Sequence, residues 1–223
     1  MVLPINFEQL WKEELKNSSG VYSSRILDDE IETDFWHEFM GKKAVYIQDD
    51  WAKPISQKLQ ELFHEARVES VLEIGPGWGN FTLDSLKKGL DVTCLDISQD
   101  VLAFLKRELE EKKGFQVHTI CRKWEDYNEE KQFDAVFGYN CYYRMLDLEN
   151  CIKKMNQKAR KLCVMGMGTG ERKGYIYFVN LLFQMGIAAN VRVIPLDNDD
   201  HSSSSLLRRI GVLVYWEPDR TVS

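Results

Sequence analysis

From residue 68 onward, short apolar runs at 71–74, 92–95, 116–120, 133–137 and 161–165 alternate with amphipathic stretches. Apolar runs that alternate with helices predict a parallel sheet covered on both faces. The stretch between the second and third runs shows the logic. Ser98 is a ready N-cap, Val101, Leu102, Leu105 and Leu109 form one apolar stripe, and Lys112-Lys113-Gly114 suits a helix end. Further along, a helix is expected over 175–185 and two strands over 191–195 and 211–216. Between those strands lie Asp197-Asn198-Asp199-Asp200-His201 and the serines 202–205, expected as a long solvated excursion.

The first 67 residues read differently, as helices joined by polar turns. Phe7, Leu10, Trp11, Glu14 and Leu15 recur at helical spacing, and Asn17-Ser18-Ser19-Gly20 stops that helix. Thr33 is the expected cap of a second helix bearing Phe35, Trp36, Phe39 and Met40, with Gly41 as its end. A third starts near Pro54 and carries Ile55, Leu59, Leu62 and Phe63. This divides the chain into a helical extension, 1–67, and a main domain, 68–223. At 223 residues, with 44% hydrophobic residues, one ordered domain with an extension is what the length allows.

Charge and composition narrow the partners. The net charge of −6 gives no global attraction for phosphate backbones, so nucleic acid is not expected. No apolar run approaches the ~18 residues of a membrane helix. The opening MVLPINFEQLWKEEL lacks the layout of a signal peptide, and a cytoplasmic protein without membrane contact is expected. Five cysteines (Cys94, Cys121, Cys141, Cys151, Cys163) include no C-x-x-C pair and read as reduced. The histidines 37, 64, 118 and 201 have no metal-ligand spacing, so no metal is expected.

The chemistry concentrates in Glu73-Ile74-Gly75-Pro76-Gly77-Trp78-Gly79-Asn80, where a buried strand runs into a glycine-rich turn and then a helix. Backbone N–H groups and a helix N-terminus there face whatever sits above the strand end. A dinucleotide fingerprint would need its third glycine at 80, where the residue is Asn. The acid two positions before the first glycine is poor company for a pyrophosphate and good company for a cation or amine. Asp96 ends the second strand, 17 residues past Gly79, where a carboxylate can accept both hydroxyls of a ribose. Dinucleotide enzymes place a similar acid there, so Asp96 alone does not separate the two classes.

With these motifs in view, residues 68–216 resemble a class I S-adenosylmethionine-dependent methyltransferase of the type 11-like group. The resemblance implies an α/β, doubly wound Rossmann-like fold. Its seven-stranded sheet has order 3-2-1-4-5-7-6 with the last strand antiparallel, and the N-terminal helices act as a lid. It implies S-adenosyl-L-methionine as cofactor and S-adenosyl-L-homocysteine as product. Gly75, Pro76 and Gly77 would hold the methionine part, Glu73 would lie near its amino group, and Asp96 with Ile97 would hold the ribose. The usual acid near the adenine falls at Arg122, so Lys123 and Trp124 take that place. After the fourth strand, Tyr139, Asn140 and Tyr143 should face the transferable methyl, with Tyr142 and Arg144 in the same rim.

The N-terminal aromatics Trp36, Tyr46 and Trp51 are expected to close over the cofactor, and Tyr46 is counted among its contacts. His37, Tyr46, Tyr139 and Tyr143 are the groups able to take or relay a proton, and none stands out. The tyrosine-rich loop lacks both prolines of the N-P-P-Y motif of DNA amino-group methyltransferases, which sets that reading aside. A small-molecule acceptor, on a monomer or homodimer, is the expectation. A non-catalytic S-adenosylmethionine-binding protein stays open. An NAD(P)-dependent oxidoreductase is disfavoured by Glu73, Asn80 and the two closing strands.

Overall fold

The computed structural model describes residues 5–43, 45–169, 174–196 and 210–219. Seven strands form one sheet in the order β3-β2-β1-β4-β5-β7-β6. These are β1 (Ser70–Ile74), β2 (Asp91–Asp96), β3 (His118–Cys121), β4 (Phe133–Tyr139), β5 (Ala159–Thr169), β6 (Asn190–Pro195) and β7 (Ile210–Trp216). The first five pair in parallel, whereas β7 runs antiparallel to both β5 and β6. Every residue of β4 is buried, which is why its sequence is apolar rather than alternating apart from Asp134, whose carboxylate is paired with Arg160 and Lys161.

Alternate side chains of β1 serve opposite faces. Leu72 and Ile74 join one core with α7 (Leu148–Lys158), α8 (Tyr175–Gln184) and α1 (Phe7–Glu14). Val71 joins the other, where α4 (Ala52–Glu65) lays Ile55, Leu59, Leu62 and Phe63 across the sheet. Pro54 falls in the first turn of α4, where its missing N–H costs nothing. A third core gathers α5 (Thr82–Lys87), α6 (Gln99–Leu105), β2 and Met40 of α3 (Asp29–Lys42). The chain winds outward from β1 to β2 and β3, then returns to β4 on the other side of β1. That reversal leaves a crevice beyond the carboxyl ends of β1 and β4, the place such sheets reserve for ligands.

Local expectations are corrected in four places. Thr33 does not cap α3. Asp28 does, accepting the Glu30 and Ile31 N–H groups, and α3 follows the short helix α2 (Ser24–Leu27). Thr33 lies inside α3 and donates its hydroxyl to the Asp29 and Glu30 carbonyls. Gly41 does not end α3, which continues through Lys42. The apolar stripe of α6 ends in a wider π turn over Lys106–Glu111, where the buried Glu108 carboxylate accepts the Tyr46 N–H and Lys112. β3 begins at His118 rather than 116, being the short edge strand paired only with β2. Residues 197–205, expected as an excursion, lie outside the described residues.

Candidate active site

The loop after β1 starts with a bend that only glycine makes cheaply. Gly75 has φ +61°, and its N–H donates to the Leu95 carbonyl at the end of β2 (2.8 Å). A Cβ there would stand 2.6 Å from the Cβ of Cys141, in the loop after β4. Gly75→Ala should therefore combine left-handed strain with a backbone-level clash. It is expected to lower the melting temperature by several degrees and to abolish cofactor binding in the same thermal-shift titration. Asn80, where a dinucleotide loop has glycine, is buried and locked to Asp49. Its Oδ1 accepts the Asp49 N–H at 2.9 Å, and its Nδ2 donates to the Asp49 carboxylate at 3.0 Å.

Two carboxyls stand at the ends of neighbouring strands with their backs to protein. Glu73 is 3% exposed, and burial pushes its pKa up to about 7 against the opposing hydrogen bond from the Thr82 hydroxyl (2.7 Å). Asp96 is 7% exposed and is also pushed up to about 7. Burial is the main cause and the nearby Glu32 adds to it, while the Ser98 N–H (2.8 Å), the Ile97 N–H and Arg144 pull the other way. Both carboxyls line one cavity together with Gly75, Pro76, Gly77, Ile97 and Lys123. Two acids raised by burial in one cleft mark a functional-site candidate, since donor groups or a cation placed there would favour their ionised forms.

The opposite side of the cavity comes from the loop after β4 and from the N-terminal helices. Tyr139 packs its ring against Trp51 (5.7 Å between centroids) and Phe81 (4.9 Å), and its hydroxyl is buried without a hydrogen-bond partner among the described residues. Gly166 makes the room, since a Cβ there would fall 2.3 Å from the Tyr139 ring. Asn140 holds φ +54°, which Asn tolerates better than most residues. Its Oδ1 accepts the Gly168 N–H at 2.8 Å, so its side chain ties this loop to β5. Tyr143 donates its hydroxyl to Glu32 of α3, and Arg144 donates to Asp29 (2.6 Å).

The sequence-named residues thus divide. Glu73, Gly75, Pro76, Gly77, Asp96, Ile97, Lys123, Trp124, Tyr139, Asn140 and Tyr143 all line the cavity, joined by Trp36 and Trp51. Trp124 is almost wholly buried with Tyr127 stacked on it (5.9 Å between centroids), so little of its ring is left for a ligand. Lys123 is held by Asp29 at 2.9 Å. His37 is not brought to the cavity. It stands on the outer side of α3, its ring 3.2 Å from the Asp100 carboxylate. Tyr46 is not in the wall either. It supports the glycine loop from behind, donating to the Gly79 carbonyl at 2.9 Å. Tyr142, read as part of the rim, is instead in the core, its hydroxyl donating to the Gly138 carbonyl at 3.2 Å.

Sequence reasoning missed Glu32. Its one local signal is the spacing to Trp36, four residues on, which puts both on one face of α3, and the indole N–H indeed donates to the carboxylate at 2.8 Å.

Residues 71–162 match the family model described as a methyltransferase domain. An uncharacterised protein of Haemophilus influenzae is 26% identical over 218 residues, covering 88% of this chain and 76% of that protein. Among solved structures, magnesium protoporphyrin IX methyltransferase from Synechocystis, with S-adenosylhomocysteine bound, superposes with a TM-score of 0.62. The identity is 11%, covering 85% of this chain and 100% of that one. An S-adenosylmethionine-dependent methyltransferase from Clostridium acetobutylicum gives 0.56 at 14% identity, covering 82% and 98%. The chain carries a methyltransferase domain in the fold of the S-adenosylmethionine-dependent methyltransferases. Its sheet order and its antiparallel last strand are those the sequence resemblance implies.

Proposed function

We propose that this protein is an enzyme that transfers the methyl group of S-adenosylmethionine to a small-molecule acceptor. One observation carries the reading: two buried carboxyls, Glu73 and Asp96, flank the left-handed glycine loop at the ends of adjacent strands and open on one cavity. In this reading Glu73 faces the amino group of the methionine part, and Gly75, Pro76 and Gly77 give backbone approach to it. Asp96 accepts the ribose hydroxyls, with Ile97 and the backbone at Lys123 and Trp124 toward the adenine. The cofactor brings a sulfonium-activated methyl, so the protein's work is alignment and exclusion of water rather than activation.

Tyr139, Asn140 and Tyr143 stand on the acceptor side. Burial pushes both tyrosine hydroxyls far above their usual range, so neither serves as a base; the Tyr139 O–H is the donor offered to an acceptor, whereas the Tyr143 O–H donates to Glu32. His37 is outside the cavity and takes no part. The uncharged aromatic wall of Trp51, Phe81 and Tyr139 supports an acceptor with a planar or apolar portion. The segment carrying Trp36 and Trp51 serves as the lid.

The test is calorimetric titration of the purified chain with S-adenosylmethionine, S-adenosylhomocysteine and NADH. Micromolar binding of the first two and none of NADH is expected. Tighter binding of NADH, or no binding of any, removes the proposal. Release of S-adenosylhomocysteine during incubation with small aromatic amines, thiols and carboxylic acids then separates an enzyme from a protein that only holds the cofactor.

A further inference from the structure

Glu32 lies outside the matched domain segment, on α3, and it is among the most enclosed charged groups of the described residues, 1% exposed. Its carboxylate collects three partners. Arg25 donates through its fork at 2.7 and 3.1 Å, the Trp36 indole at 2.8 Å, and Tyr143 through its hydroxyl. Burial alone would raise this acid, but the hydrogen bonds from Arg25, Tyr143 and Trp36 outweigh it and hold it below the usual carboxylate range, so it is charged.

Stability does not call for such a group. Burying an ion pair costs desolvation that well-packed apolar residues would not, so holding α3 in place would be served as well by a leucine. What an apolar residue could not do is hold two rings from different elements by directed hydrogen bonds. Both rings line the cavity, and the edge of Trp36 comes within 3.7 Å of where a Cβ on Gly77 would be.

We propose that Glu32 is a positioning residue for the cofactor: one buried carboxylate fixes the Trp36 and Tyr143 rings as the wall that closes the cavity beside the glycine loop. This rests on the S-adenosylmethionine reading of that cavity. It also assigns the N-terminal segment a part in the cofactor site itself, beyond covering it.

The test is the affinity for S-adenosylhomocysteine by calorimetry, with melting temperatures alongside, for Glu32→Gln, Tyr143→Phe and the double variant. Each single change removes or weakens a charge-assisted hydrogen bond and should weaken binding about tenfold at pH 8. Because both act through one network, the double should be no more than about twofold weaker than the poorer single.

A pH series adds a readout that mere loosening of α3 would not give. The groups around Asp96 are Glu32, Arg144, the Cys94, Cys121 and Cys141 thiols and the Ile97 and Ser98 N–H groups. Removing the negative charge of Glu32 moves the acid limb of binding to lower pH, whereas Tyr143→Phe leaves it in place. Affinity within twofold of the wild type in both single variants, or effects that simply multiply in the double, overturns the proposal. Should Glu32→Gln fail to fold, Tyr143→Phe keeps the ring and its packing and decides alone. A wild type that binds no S-adenosylhomocysteine overturns the cofactor reading itself, a result separate from either.

Discussion

Asp96→Asn is expected to weaken S-adenosylmethionine and S-adenosylhomocysteine more than about 100-fold at pH 8, the loss of two charge-assisted hydrogen bonds to a ribose. The same substitution is expected to raise, not lower, the melting temperature of the ligand-free protein. The carboxyl is 7% exposed, and burial chiefly pushes its pKa up to about 7 from an ordinary value of 3.8. Ionised at pH 8, it therefore costs the empty fold of the order of a few kcal/mol, which a neutral amide does not. The amide oxygen can still accept the Ser98 N–H that caps this turn. Calorimetry and differential scanning on the same samples check both halves. A variant that loses binding and stability together would mean that Asp96 is a structural acid, and its ribose role would fall.

What the sequence made legible follows the range of the forces involved. The strands of the parallel part were readable because neighbours such as Val136 and Phe137, which serve opposite faces, are both buried and leave apolar residues side by side. Ser98 was readable as a cap because capping is decided within three residues, and its side chain does accept the Val101 N–H. The start of α3 was misread for the same reason. Asp28 and Thr33 are both good caps, and local preference does not choose between them when tertiary contacts hold the first turn, as Arg144 and Lys123 do through Asp29. Glu73 and Asp96 stood out because each sits at a strand end of fixed spacing. Glu32 did not, lost among Asp28, Asp29 and Glu30 in sequence. Its meaning depends on Tyr143, 111 positions away, and such a pairing exists only once the chain has wound from β1 back to β4.

Cofactor affinity should depend steeply on pH below neutrality. In the empty protein burial pushes Glu73 and Asp96 up to about 7, above their ordinary values of 4.5 and 3.8. For acids raised in this way the folded state holds protons that the unfolded chain has already lost. These two groups therefore favour folding in acid and withdraw that support as pH rises from about 4 to 7.

Binding reverses the sign, because a bound ammonium and two ribose hydroxyls require the ionised forms. Two protons must leave, and affinity is expected to fall about 50-fold between pH 8 and pH 6. That figure allows for the cofactor's own α-amino group, which titrates near 8 and partly offsets the loss. Titrations in buffers of different ionisation enthalpy should count close to two protons released at pH 6, and Glu73→Gln should reduce the count to one. An affinity that stays flat from pH 8 to 6 would mean that these carboxyls do not meet the ligand. Desolvation would then be a cost the fold carries for some other reason. A single proton released by the wild type would leave only one of them in the site, and the Glu73→Gln variant would tell which.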